Sequence, residues 1–110
     1  MKPRKLNIKT IPATDINRAY RFWRDVFDLP QSGHKSGRHL MLDGEDINFV
    51  SGKPTDQLEL LVRDHQEDLQ KHLRNNFVSL LNEPETRFGN KVALKIKDSE
   101  GNTITLEANL

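Results

Sequence analysis

The chain has 110 residues, 30% charged and 35% apolar or aromatic, a balance that suits one modest core and excludes a disordered chain. Seventeen Lys and Arg against sixteen Asp and Glu leave a formal net charge of +1, with the signs interleaved, so no global field favours nucleic acid or an anionic membrane. Cysteine is absent, which excludes disulfides, thiolate metal sites and a cysteine nucleophile, and which fits a reducing compartment.

The basic start, Met1-Lys2-Pro3-Arg4-Lys5, runs into a strand-like segment and not an apolar one, so no secretory signal is predicted. No stretch offers the roughly 20 apolar residues that cross a bilayer, and the expected location is the cytoplasm. Residues 6–11 predict a strand closed by Pro12. Thr14 or Asp15 then caps an amphipathic helix whose apolar positions are Ile16, Ala19, Tyr20, Trp23, Val26 and Phe27, spaced by three and four. Leu29-Pro30 ends that helix, because the residue before proline is pushed out of the helical region. Residues 31–37 predict a loop or ragged strand. Strands at 38–42 and 46–50 follow, joined by Asp43-Gly44, a strong hairpin signal.

After a connector at 52–56 the plan starts again. Residues 58–62 predict a strand. Asp64, with Glu67 three residues on, predicts a capped second helix whose inner face is Leu69, His72 or Leu73, and Phe77. Residues 78–81 predict a further strand, 82–90 a loop, 91–97 a strand, and 102–107 the last strand, entered through a tight turn at 99–102. The chain thus reads strand, helix, three strands, twice. This predicts an α+β fold, a single domain over 1–110, with one module at about 5–51 and a second at about 57–108. Each module is expected to be a four-stranded sheet with a helix on one face, its bare face turned toward a groove.

Three segments carry a family likeness. Residues 14–29 (Thr-Asp-Ile-Asn-Arg-Ala-Tyr-Arg-Phe-Trp-Arg-Asp-Val-Phe-Asp-Leu) are similar to a first helix of the type D-x-x-x-A-x-x-F-Y-x-x-V-L-G-L. Arg87-Phe88-Gly89 and Asp98-Ser99-Glu100-Gly101-Asn102-Thr103-Ile104 are similar to R-x-G and D-P-x-G-N-x-I-E. In this order they resemble the glyoxalase/bleomycin-resistance/extradiol-dioxygenase (vicinal oxygen chelate) superfamily. The resemblance implies two βαβββ modules forming a curved mixed sheet around a groove, and it makes a homodimer expected. It also implies four metal-ligand positions, usually His or Gln, Glu, His and Glu. Transferred by position, these fall at Ile8, Val50, Gln57 and Thr105. Two hydrocarbons, an amide and a hydroxyl are not a set that holds a catalytic divalent metal.

Strand periodicity supplies candidates of its own. If Leu58, Leu60 and Val62 face the helix, then Gln57, Glu59 and Leu61 face the groove. The same alternation turns Thr105 and Glu107 into the groove from the last strand, and Asp46, Asn48 and Val50 from the strand at 46–50. The candidate groove set is therefore Asp46, Asn48, Gln57, Glu59, Thr105, Glu107 and His39, with no metal ligand and no cofactor assigned. His34 and His39 sit at a glycine-bracketed loop within reach of such a groove. His65 and His72 read as surface positions of the second helix, Trp23 and Tyr20 as core. The reading that follows is a protein with a degenerate metal site that binds a small cationic or polar molecule in the groove between its two modules. Two alternatives stay open: a metal-dependent lyase or dioxygenase recruiting His39, Glu59 and Glu107, and a dimeric interaction module without a small ligand.

Overall fold

The structure, a computed structural model, describes residues 1–32 and 38–110. His34 and most of the 31–37 loop lie outside the described residues. In chain order the elements are β1 (Pro3–Leu6), β2 (Thr10–Ala13), α1 (Ile16–Val26), β3 (Leu40–Leu42), β4 (Glu45–Ser51), β5 (Leu58–His65), α2 (Gln66–Asn75), β6 (Glu85–Arg87), β7 (Lys91–Lys97) and β8 (Thr103–Asn109). They form a five-stranded sheet, β1-β5-β8-β7-β6, and a three-stranded sheet, β2-β4-β3. In both halves a strand, a helix crossover and a parallel return strand repeat the same plan: β2 runs parallel to β4, and β5 parallel to β8.

The expected four-plus-four division becomes three-plus-five because the predicted strand at 6–11 is two strands. β1 pairs antiparallel with β5, while β2 pairs with β4. Asn7 sits at the break and replaces ladder bonds with its side chain: Nδ2 donates to Gln57 O at 2.8 Å, and Oδ1 accepts from Glu59 N at 2.8 Å. Pro12 lies within β2, an edge strand, where the missing N–H of proline is tolerated.

α1 follows the sequence closely. Asp15 is its N-cap, accepting from Arg18 N at 3.1 Å, and Ala19, Tyr20, Trp23 and Val26 are buried. The Trp23 ring meets Phe27 edge-on at 4.8 Å and Phe49 of β4 at 6.3 Å, which seats the helix on the smaller sheet. α2 departs from expectation at both ends. β5 runs through Asp64 to His65, which is the N-cap without a side-chain bond. Asp64 is drawn into the β1 pairing instead, accepting from Lys2 N at 2.7 Å. Past the C-cap Asn76, Phe77 takes a positive φ of 60° and points into solvent, so only Leu69 and Leu73 form the inner face.

The strand predicted at 78–81 does not form; Leu81 N donates to Lys95 O, and Val78 and Leu80 pack on the core. The second strand of the second half is β6, inside the predicted loop. Gly89, with φ of 75°, closes the β6–β7 hairpin. Apolar residues of both halves join one buried cluster. Among the described residues no helix is long and apolar enough to cross a membrane.

Candidate functional site

The closing turn, 98–102, carries two carboxylates, and both are occupied structurally. Asp98 is buried and accepts four bonds: Trp23 Nε1 (3.0 Å) and Asn102 Nδ2 (2.8 Å) on one oxygen, the N–H groups of Glu100 and Asn102 (both 2.9 Å) on the other. Glu100 reaches the start of α1. It accepts from Thr14 N at 3.0 Å, Asp15 N at 2.8 Å, and Arg18 Nε at 2.7 Å. The Arg18 guanidinium is the largest cause of a Glu100 pKa near 2; the Asp15 N–H and the Ser99 hydroxyl add to it, and burial opposes it. Asn102 completes the clamp by donating to Pro12 O at 2.9 Å and accepting from Thr55 N at 2.9 Å. Gly101 holds φ at 84°, with Pro54 in ordinary contact distance of any added Cβ. Gly101→Ala should therefore cost about 1–2 kcal/mol from backbone strain alone, read as a lowered midpoint in urea unfolding.

The chemically open surface lies on the other side of the sheets. Along β5 and β8 the alternation is as the period-two pattern requires: Leu58, Leu60, Val62, Ile104 and Leu106 are buried, while Glu59, Leu61, Thr105 and Glu107 are partly exposed. Register places Glu59 beside Thr105, and Leu61 beside Glu107. Arg87, reaching over from β6, binds both carboxylates through one nitrogen. Its Nη1 donates to Glu59 Oε1 and, at 3.1 Å, to Glu107 Oε1. Small Ala93 stands directly opposite Glu107 on the intervening strand and leaves room for that reach. The hydrogen bond to Glu59 is the largest cause of a raised Arg87 pKa; partial burial opposes it and Glu107 reinforces it.

The remaining predicted site residues sit as follows. Gln57 precedes β5, is exposed, and donates to Asp56 Oδ1 at 2.7 Å. Asp46 is exposed opposite Met41 on β4, and Asn48 is half-buried beside Thr10. Asn48 Oδ1 is a buried acceptor without a hydrogen-bond partner among the described residues. His39 is half-buried just ahead of β3, its carbonyl accepting from Ser32 N at 3.0 Å. Thus Glu59, Thr105 and Glu107 are brought together on the larger sheet, whereas Asp46 and Asn48 belong to the smaller one. A depression of about 230 Å³, lined by Lys5, Asn7, Glu59 and Leu61, opens beside the Arg87 cluster. A larger hollow of about 500 Å³ lies at the end of α2, lined by Leu73, Arg74, Phe77 and Leu80 among others, and has no carboxylate. Convergent charged groups mark the former as the candidate site.

Compared by sequence, the chain matches no family model and no curated protein. Compared by structure, it is similar to an integron cassette protein from the mobile metagenome of V. cholerae, with a TM-score of 0.74 at 20% identity over 98% of this chain and 97% of that one. It is likewise similar to a glyoxalase/bleomycin resistance protein/dioxygenase superfamily member from Sphaerobacter thermophilus, with a TM-score of 0.68 at 18% identity over 91% and 93% of the two chains. Lactoylglutathione lyase from Agrobacterium tumefaciens gives a TM-score of 0.68 at 13% identity over 90% and 89%. The chain has the glyoxalase/bleomycin-resistance fold.

In this fold the four positions expected to hold a metal are poorly supplied with donors. Ile8 and Val50 are hydrocarbon and exposed to 36% and 42%, Gln57 is turned to Asp56, and Thr105 offers a hydroxyl. The neighbouring carboxylates, Glu59 and Glu107, already face a guanidinium. Among the described residues no three His, Cys, Asp or Glu side chains converge. The donor set does not fit a divalent metal. Arg87 was the residue missed by reading the sequence for a groove. Its signal was the Arg87-Phe88-Gly89 segment of the family likeness, whereas the strand that aims it, β6, is only three residues long and shows no period.

Proposed function

We propose that this protein binds a small molecule on the open face of its sheets and performs no divalent-metal chemistry. The binding surface would centre on Glu59, Thr105 and Glu107, extending through Gln57 to Asp46, Asn48 and His39. The observation that supports this reading is Arg87 bridging Glu59 and Glu107 beside Thr105, the position at which the family resemblance implies a glutamate ligand. A fixed cation of the protein already occupies the carboxylates that a metal would need. The face is also rich in charge, unlike the charge-depleted centre of an obligate interface, which favours a ligand over an interaction module.

The test is retention of metal. Purified protein equilibrated with Mn(II), Ni(II) or Zn(II) and desalted is expected to keep far less than one equivalent by elemental analysis. One equivalent retained, and lost in Glu59→Gln or Glu107→Gln, would overturn the reading in favour of a lyase or dioxygenase with shifted ligands. We further infer that the protein is a cytoplasmic homodimer, for which light scattering should give twice the 12.7 kDa chain mass.

A further inference from the structure

Register puts Lys5, Arg87, Lys91, Lys95 and Lys97 on the open face of the five-stranded sheet, with Glu59, Glu85 and Glu107 as the carboxylates. Five cations against three anions leave this face at +2, although the chain as a whole is almost neutral. The distribution of pairs sharpens the imbalance. Arg87 takes both Glu59 and Glu107 through Nη1 alone, so its Nε and Nη2 have no partner among the described residues. Lys91 bonds a neutral oxygen, Asn109 Oδ1, at 2.6 Å. Lys95 stands directly across from Thr105 and is only partly exposed, yet its ammonium has no ion pair or hydrogen bond among the described residues. Glu59 and Glu107 are both directed at Arg87 and not at Lys95.

We propose that the ligand of this face is a small organic carboxylic acid, its carboxylate held between the Lys95 ammonium and the unused Nε–Nη2 edge of Arg87. The proposal rests on the small-molecule reading above and names the ligand's chemical class. A guanidinium edge with two parallel N–H groups matches a carboxylate in geometry as well as charge. Glu59 and Glu107 act here as positioning residues: they fix the guanidinium on the sheet before a ligand arrives, so less ordering accompanies binding. Their own charge does not repel the anion overall. Glu59 and Glu107 with Arg87, Lys95 and Lys5 sum to +1. Leu61 and the depression it shares with Lys5 and Asn7 supply an apolar wall, which selects a carboxylate carrying a hydrocarbon part over a bare inorganic anion.

Three probes of one shape decide it: benzoate, benzyl alcohol and benzylamine, with inorganic phosphate as a fourth, titrated at constant ionic strength into ¹⁵N-labelled protein. Benzoate is expected to shift the amide signals of Glu59, Leu61, Lys95 and Thr105 saturably. Its affinity should exceed that of the alcohol, the amine and phosphate by about tenfold or more, the scale of one charge-assisted hydrogen bond. Lys95→Gln and Arg87→Lys should each weaken benzoate by about the same factor. Lys95 makes no side-chain bond, so its variant keeps the fold, and unchanged dispersion of the spectrum verifies this. Benzylamine binding as well as benzoate, phosphate binding as well as benzoate, or indifference of benzoate to both substitutions would each overturn the carboxylate assignment and leave small-molecule binding standing. If none of the four shifts this face, the broader reading falls with it.

Discussion

Asp98→Ala is expected to destabilise the protein by about 3–5 kcal/mol, the largest effect of any polar substitution outside the apolar core. The side chain is buried and accepts four hydrogen bonds, two from backbone N–H groups and two from Trp23 and Asn102. Alanine leaves all four donors unpaired, and the indole N–H and the Asn102 amide are far from water. Each such donor costs about 1–3 kcal/mol when unsatisfied, and local rearrangement recovers part of the sum. Asp98→Asn is the informative comparison. It keeps one oxygen for the two backbone donors but turns an NH₂ toward two other donors, so it should recover only part of the loss. Urea unfolding of the three proteins measures this through the midpoints at a common slope. A loss below about 1 kcal/mol for the alanine variant would refute the account of the turn as a clamp.

Glu100 carries the second large effect, and its signature is pH. The carboxylate titrates near 2 in the folded protein against 4.5 for its unperturbed value. Below pH 4.5 the unfolded chain takes up a proton there while the folded chain does not, so stability falls as pH drops toward 2. Above about pH 5 the full contribution is present, worth about 3 kcal/mol for this separation of values. Glu100→Gln should therefore be less stable than the parent at neutral pH and approach it as pH falls to about 2. The difference between the two unfolding curves, taken across pH 2 to 6, isolates this group from the other carboxylates. A difference independent of pH would mean that Arg18 and the N–H groups of Thr14 and Asp15 do not hold the ionised form.

How much of this was legible in the sequence differs from residue to residue, for reasons that are physical. The faces of β5 and β8 could be read because a two-residue period with one apolar face has a single compatible orientation; Leu58, Leu60, Ile104 and Leu106 left Glu59, Thr105 and Glu107 nowhere else to point. The cap at Asp15 and the apolar stripe of α1 were equally local. The break at Asn7 was not local. It depends on backbone groups of Gln57 and Glu59 that lie 50 and 52 positions away, and nothing in residues 6–11 announces a partner. The same holds for Asp64, which looks like a helix cap until Lys2 arrives to claim it. The ionic character of the candidate site was hidden for both reasons at once. Arg87 sits on a strand too short to show a period, and its two acceptors come from two other strands.

The clamp between Glu100 and the start of α1 joins positions 85 and 86 residues apart. A helix that is capped locally by Asp15 is thus anchored by the penultimate stretch of the chain. During synthesis from the N-terminus, the first helix and the smaller sheet are complete long before that anchor exists. The entropy of closing so long a loop is offset only when β7 and β8 pair and swing the turn into place. The turn at 98–102 therefore acts as a fastener: the order of biosynthesis leaves the first half unlatched until the second half has been added.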